Sequence, residues 1–559
     1  MPVHYSVNIA YQDVYDDFAT IDTIALSNTV PTKMALELVA HFTAQIHTLE
    51  RDPQLQIELI LSWIARFTPA VARRVRQTIL QFQTEHSNFG FFNNISSLYS
   101  LEFLLAHPNT LPVTEDLSAT QEENIFKLYL YFSSQWTTQQ TAFVNSQNGN
   151  STISWILALM APFEEIVEFK DFRIQFIKAI YFFRFCETDA EFAPYLIQFL
   201  AERHLPSWQQ YLVQILTMYA GAAQNETFKT VVAFQPADMH VFQAFEHFFC
   251  APPIAITQDF LEIRKKPLYR YAPNEVLIIS NNFLIDKLFQ GILFDMGSTL
   301  IRAHATYRGR QIQNFTDFIG IFSDDFVEKI LFYRVMQFTF RRNSRTHYSG
   351  EQLENQFENG TPDYILIDKS KVYVIEFKNA LFSANAKYSY DPAQIFQELH
   401  KKFVANVHGR PKGVTQLANF MADVIAGRYN IILPPGRPYT FYPIIVTTDH
   451  SFNLPTVNQT LDNIFASQIA AGNFRNHLTI KPLTLICLDD LIKFQDLFKT
   501  MRLSMHRELD HYQLYLQRGA DPVERAISFS VYLHNITRIM NYNTPKIFET
   551  EILRLMTNP

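Results

Sequence analysis

The sequence predicts a chain of several domains: a largely helical N-terminal half, an α/β domain in the C-terminal half and a helical C-terminal tail. Length is the first reason, because 559 residues exceed what one hydrophobic core usually fills. Glycine is the second. Only Gly90, Gly149 and Gly221 precede residue 290, and the other 12 of the 15 follow from Gly291. Each glycine weakens a helix interior by about 1 kcal/mol, so a glycine-poor stretch with long apolar periodicity favours helices. The third is a set of four short β-rich runs between residues 363 and 490. The expected divisions are 1–260, mostly helical; 261–305, a connecting hairpin and helix; 306–500, α/β; and 501–559, the tail.

In the first division, "IELILSWIARFTPAVARRVRQTILQF", "ENIFKLYLYFSSQW" and "SWQQYLVQILTMYAGAA" carry apolar residues at three- and four-residue spacing, the period of a helix buried on one face. With 51 phenylalanines in the chain, flat rings are expected to fill the cores. "RKKPLYRYAPNEVLIIS" sets two β-prone runs around "APNE", a hairpin, and "FLIDKLFQGILFDMG" reads as one helix. "TDFIGIFSDDFVEKILFYRVM" is an amphipathic helix with Ser323 or Asp324 as its cap or in its first turn. Strands are then expected at "DYILID", "VYVIEF", "YPIIVTTD" and "LTLICLDD", with the helical "GVTQLANFMADVIAG" between the second and third. From "SMHRELDHYQLYLQ" the chain returns to helix, and His506 and His511 there lack the spacing of a zinc-binding helix.

Composition bounds the function. A 48% hydrophobic, 18% charged chain is globular rather than disordered. Cys186, Cys250 and Cys487 lie far apart and form no CxxC pair, which supports neither a disulfide framework nor a cysteine zinc finger and fits a reducing, cytoplasmic setting. The N-terminus lacks a basic start followed by an apolar run, and "ISWILALMAPF" is far shorter than the ~20 residues that cross a bilayer, so no signal peptide and no membrane partner are expected. Net charge is −7, yet residues 300–440 hold 18 Lys and Arg against 13 Asp and Glu. One mildly basic segment sits on an acidic chain.

That segment contains "VYVIEFKNAL", the second of two Glu-Phe-Lys tripeptides. The first, Glu168-Phe169-Lys170, lies in "FEEIVEFKDFRIQFIKAIYFFRF", where Ile166, Phe169, Phe172, Phe176 and Ile180 make a helical stripe. On a helix, residues two apart diverge, so Glu168 and Lys170 are expected on a solvated edge. The second, Glu376-Phe377-Lys378, follows Val372-Tyr373-Val374-Ile375 and reads as strand. Alternation then puts Glu376 and Lys378 on one face and Tyr373, Ile375 and Phe377 on the other, in a core. Upstream, "ENGTPDYILID" holds the chain's only Pro-Asp, and a short "DKSK" connection makes a hairpin that can bring Asp363 to Glu376. Two adjacent carboxylates repel unless a cation lies between them, and oxygen ligands suit Mg²⁺ or Mn²⁺. The Phe377 carbonyl is a further oxygen ligand for such a hard cation.

"PDYILIDKSKVYVIEFK" resembles the PD-(D/E)xK nuclease superfamily, whose members share the restriction-endonuclease-like α/β fold. The resemblance implies that Asp363 and Glu376 hold the metal, that Lys378 is the catalytic lysine, and that the preceding helix supplies another acid. "GIFSDDFVEK" is similar to the family's G-x-x-F-E-x-aromatic pattern but departs from it, leaving Asp324, Asp325 or Glu328, of which Asp324 is preferred. "KGVTQL" resembles the family's following helix and offers Gln416. The expected function is Mg²⁺- or Mn²⁺-dependent hydrolysis of nucleic-acid phosphodiesters by an endonuclease, DNA ahead of RNA, in a setting such as bacterial restriction or phage defence. Arg341, Arg342, Lys401, Lys402, Arg410 and Lys412 are candidate phosphate-binding residues. The helical half is left for recognition, regulation, a protein partner or a second copy. The alternative is a scaffold whose nuclease-like module binds nucleic acid without cutting it.

Overall fold

The computed structural model describes residues 7–49, 53–86, 89–146, 152–162, 170–222, 230–235, 239–342, 344–353, 360–428, 432–434, 437–469, 478–520, 522, 524–540, 542 and 544–557. Two compact units emerge. One takes in His4–Ser146, Ile166–Gln313 and Leu555–Pro559, the other Met1–Val3, Gln147–Glu165 and Asn314–Arg554. The expected connecting segment, 261–305, falls inside the first unit, and the tail through Arg554 falls inside the second.

The first unit is largely helical, with long helices at Thr32–Leu49, Pro69–Glu85, Asn94–Ala106, Ala119–Ser146 and Phe172–Thr188 among others. Rings do fill its core: Phe42 stacks on Phe92 at 4.8 Å and meets Trp63 at 4.4 Å, and Trp63 meets Phe126 edge-on at 5.4 Å. The hairpin forms between Leu268–Ala272 and Glu275–Ile278, inside a four-stranded sheet. The single helix expected from Phe283 to Gly297 is two, Asn281–Asp286 and Gln290–Arg302.

The first Glu-Phe-Lys departs from its expected place. Glu168 and Phe169 lie outside the described residues. Lys170 is not on a solvated helix edge: it precedes the helix that starts at Phe172, is 10% exposed, and bonds Asp286 and, at 2.9 Å, Gln290. The apolar stripe continues on that helix, where Phe176 and Ile180 are buried.

The second unit is mixed α/β. Its main segment, from Asn314, opens with α1 (Phe315–Phe322), passes through a π-helical stretch (Ser323–Phe332) and continues as α2 (Tyr333–Phe340). The cap of this element is Asn314, whose side chain accepts from Asp317 N, so Ser323 and Asp324 lie mid-element rather than at its start. The sheet follows with β1 (Arg345–Ser349), β2 (Tyr364–Asp368) and β3 (Lys371–Lys378), each antiparallel to the next. After α3 (Pro392–Phe403) and α4 (Gly413–Ile425), β4 (Tyr439–Thr447) returns parallel to β3. Past α5 (Val457–Ile469), β5 (Leu478–Ile480) and β6 (Thr484–Cys487) both pair in parallel with β4, and α6 (Leu488–Lys493) leaves β6. Parallel strands buried on both faces read as continuous apolar runs, which is what "VYVI" and "YPIIV" are.

Helices cover both faces of β3. On one, Phe332 from the π-helical stretch stacks on Phe377 at 4.7 Å and meets Tyr364 edge-on at 5.7 Å. On the other, the start of α4 lies against Lys378: a Cβ on Gly413 would sit 3.5 Å from Lys378 Cε and 3.1 Å from the Phe403 carbonyl oxygen. The expected division of β3 into two faces therefore holds. Phe332 is the clamp on one of them, and Phe332→Ala is expected to cost about 3–5 kcal/mol in denaturant unfolding; a cost below about 1 kcal/mol would show that the stack is not holding the sheet.

Candidate functional site

The hairpin register builds the site. Tyr364 pairs with Ile375, and the bend at Asp363 immediately before β2 brings its carboxylate alongside Glu376 and Lys378. Asp363 Oδ2 accepts from Phe377 N, at 2.7 Å. In an extended strand a residue's N–H and C=O point to the same edge, so the Phe377 carbonyl lies on the edge that faces Asp363.

Lys378 joins them. Its ammonium donates to Glu376 Oε2 at 2.8 Å and lies 3.8 Å from Asp363 Oδ2. Glu376 is fully buried, and its other oxygen, Oε1, has no hydrogen-bond partner among the described residues. Burial, then Asp363, drives its pKa well above the ordinary carboxylate range, although Lys378 opposes them. Burial works against the Lys378 charge, but Glu376 and Asp363 outweigh it and hold the ammonium above its usual range.

The helical element before the hairpin brings two acids to this cleft. Asp324 and Glu328 both line the cleft over Asp363 and Lys378. Glu328, bonded by Tyr333 Oη at 3.3 Å, is pushed up to about 7 by burial and then by Asp363. Asp324 is at the open side of the cleft, where partial loss of solvent, then Asp325 and Asp363, raise its pKa against the opposing charge of Lys329. Asp325 is buried and faces Lys329 at 3.7 Å, and it is not among the residues lining the cleft. Glu328, rather than Asp324 alone, is the helix acid most affected by the hairpin.

The cleft has a volume of about 490 Å³, and its wall carries Lys402 and Lys412. Burial and the neighbouring charges of Lys402, Lys378 and Lys401 lower the Lys412 pKa, as expected where cations crowd without an anion between them. Arg341 and Arg342 do not line it; Arg342 bonds the Lys499 carbonyl. Gln416 is half-buried on α4 and does not line the cleft either; the cap of α4, Lys412, does. Asn379, next after Lys378, was not singled out by sequence. It receives Thr448 Oγ1 at 2.6 Å and donates to Ser323 Oγ at 2.6 Å, tying the π-helical stretch to the ends of β3 and β4.

A second group was also missed. His450, Cys487 and Asp489 each offer one donor atom within 4.8 Å of the others. Nothing in their spacing announces this, since Cys487 lies 37 positions after His450 and only the sheet register brings them together. No family model matches this chain, and neither a curated protein nor a solved structure does.

The donor set formed by the cleft wall and the Glu376 oxygen buried behind it fits a hard divalent cation. A buried carboxylate oxygen without a partner, the opposing Asp363, the Glu328 acid and the Phe377 carbonyl are all oxygens, and they gather more negative charge than Lys378 neutralises. Without a cation, protons must relieve that repulsion. Glu328 is raised from 4.5 to about 7, so the folded state binds its proton more tightly than the unfolded state. Its share of stability is complete below about 4.5 and is lost as pH rises through about 7. Thermal melts of chelator-treated protein are expected to fall across that window, and Glu328→Gln to reduce the fall. An equal slope in the variant contradicts the assignment.

Proposed function

We propose that this chain is a divalent-metal-dependent nuclease acting on nucleic-acid phosphodiester bonds. The observation that carries the reading is the fully buried Glu376 carboxylate, paired with Lys378 and opposed by Asp363, with one oxygen lacking a partner among the described residues, directly behind an open cleft that Asp363 and Lys378 line. The order of elements supports it: an acid-bearing helix, a hairpin that delivers Asp363 and Glu376, then helices and a strand parallel to the second hairpin strand. This is the order implied by the resemblance to the PD-(D/E)xK superfamily.

Asp363, Glu376, the Phe377 carbonyl and Glu328 are the groups that would hold Mg²⁺ or Mn²⁺. When bound, the ion supplies Lewis-acid polarisation of a phosphoryl oxygen and a lowered pKa for water. The chain's own residues do the rest. Lys378, fixed by Glu376, presents a permanently charged ammonium to the negative charge that develops on the phosphate. Lys402 and Lys412 give neighbouring phosphates a place on the cleft wall, and separation of these cations from the acids orients the backbone across the site. Asn379 holds the helix acids in position relative to the strand that bears Lys378.

Full-length protein with Mg²⁺ or Mn²⁺ is expected to cut at least one of plasmid, linear duplex and single-stranded DNA and RNA, with DNA the first choice. Lys378→Ala is expected to lower the rate by about 10²–10³, the reduction typical of removing a transition-state charge donor. Failure of the wild type on every substrate contradicts the proposal. A second outcome concerns the wall: Lys402→Ala with Lys412→Ala should weaken duplex binding and flatten the slope of log affinity against log salt by roughly 0.9 for each phosphate that the variant no longer neutralises. An unchanged slope would remove both lysines from the substrate path.

A further inference from the structure

Across the sheet from the acidic cleft, a chemically different donor set comes together. In the parallel registers, Lys378 pairs with Thr447, and Thr447 pairs with Cys487. Paired positions on neighbouring strands share a face, so these side chains form a row, with Cys487 two strand spacings, about 10 Å, from Lys378. At the Cys487 end of the row, His450 from the turn after β4 and Asp489 from the first turn of α6 close around the thiol. Cys487 is fully buried, Asp489 is 5% exposed, and the His450 side chain keeps a 19% opening to solvent.

The simplest alternative is a structural His450–Asp489 hydrogen bond, 2.8 Å from Nε2 to Oδ2, beside a cysteine that merely fills the core. Two features go further. Imidazole nitrogen, sulfur and carboxylate oxygen within 4.8 Å of one another are a borderline-soft set of the kind that holds Zn²⁺, and not one suited to Mg²⁺. Independently, Thr447 Oγ1 is completely buried beside Cys487 and has no hydrogen-bond partner among the described residues. A buried hydroxyl left unsatisfied costs free energy unless something absent from the protein atoms completes it.

We propose that His450, Cys487 and Asp489 form a second metal site that binds Zn²⁺ with three protein ligands and a water in the fourth position, separate from the acidic cleft. The Thr447 hydroxyl, on the strand position paired with Cys487, is the group that would bond that water. Binding forms a Zn–S bond and releases the thiol proton to solvent, with no change of oxidation state. The site joins the end of β4 to the β6–α6 junction. Next to it, Asp490 is bonded by Ser530 and by His534 at 3.0 Å, which links the same junction to the helix Phe529–Arg538. The ion therefore braces the end of β4 against the β6–α6 junction while water keeps its fourth position open.

Full-length protein freed of metal with a chelator and titrated with Co²⁺ tests this directly. The expected result is a thiolate-to-cobalt charge-transfer band that saturates at one equivalent, is bleached by Zn²⁺ and persists in excess Mg²⁺. Cys487→Ser should abolish the band, His450→Gln should weaken Co²⁺ binding at least tenfold, and Asp363→Asn should leave both unchanged. Absence of the band in the wild type overturns the proposal however the variants fold. Survival of the band in Cys487→Ser, or its disappearance in Asp363→Asn, overturns it as well.

Discussion

Everything in the α/β unit that bears on chemistry depends on a carboxylate that cannot be hydrated. Glu376 lies near the end of the central strand with no exposed surface, and an isolated buried charge of that kind would be expensive. Lys378 offsets part of the cost through a 2.8 Å ion pair. Asp363 adds to it, because the bend before β2 brings a second acid alongside. A buried ion pair that served stability alone would gain nothing from this third, repelling group. The Asp363 side chain takes the Phe377 N–H, and since N–H and C=O of one strand residue point to the same edge, the Phe377 carbonyl lies on the edge that faces Asp363.

The surrounding fold holds that constraint in place from both faces. The Phe332–Phe377 stack fixes one side of β3, and the close approach of Gly413 to the Lys378 stem fixes the other. Gly413 adopts φ +26°, a backbone conformation that side-chain-bearing residues rarely adopt, so a larger residue there would be both strained and obstructed by the Phe403 carbonyl. The chain through Ser323, Asn379 and Thr448 then locks the π-helical stretch to the strand ends. Widened helical turns recur at functional sites, and this one carries both Asp324 and Glu328.

Strand periodicity made the heart of this site legible. Alternation alone put Glu376 and Lys378 on one face and Phe377 on the other, and the two-residue turn at Lys369-Ser370 closed the hairpin that brings Asp363 alongside Glu376. Features that depend on packing were not legible. A local change from i→i+4 to i→i+5 bonding leaves no composition signal, so the sequence favoured Asp324 where Glu328 carries the larger perturbation. Gln416 was assigned from a motif on a helix that does form, but the cleft is lined instead by Lys412 at its cap. β1 escaped because "RTHYS" is a half-exposed edge strand without an apolar run. Lys170 was read from helical spacing, and its burial against Asp286 is a tertiary interaction that no local pattern encodes. The His450, Cys487 and Asp489 group needed the β4–β6 pairing before its members were neighbours.

Anomalous X-ray scattering from a crystal soaked in Mn²⁺ tests the central claim most directly. The expected result is one strong manganese peak enclosed by Asp363, Glu376 and the Phe377 carbonyl oxygen, with Glu328 or Asp324 at its open side. A saturating soak that leaves those oxygens without a peak, with Glu376 still bonded to Lys378, would contradict the claim that this buried acid exists to hold a cation.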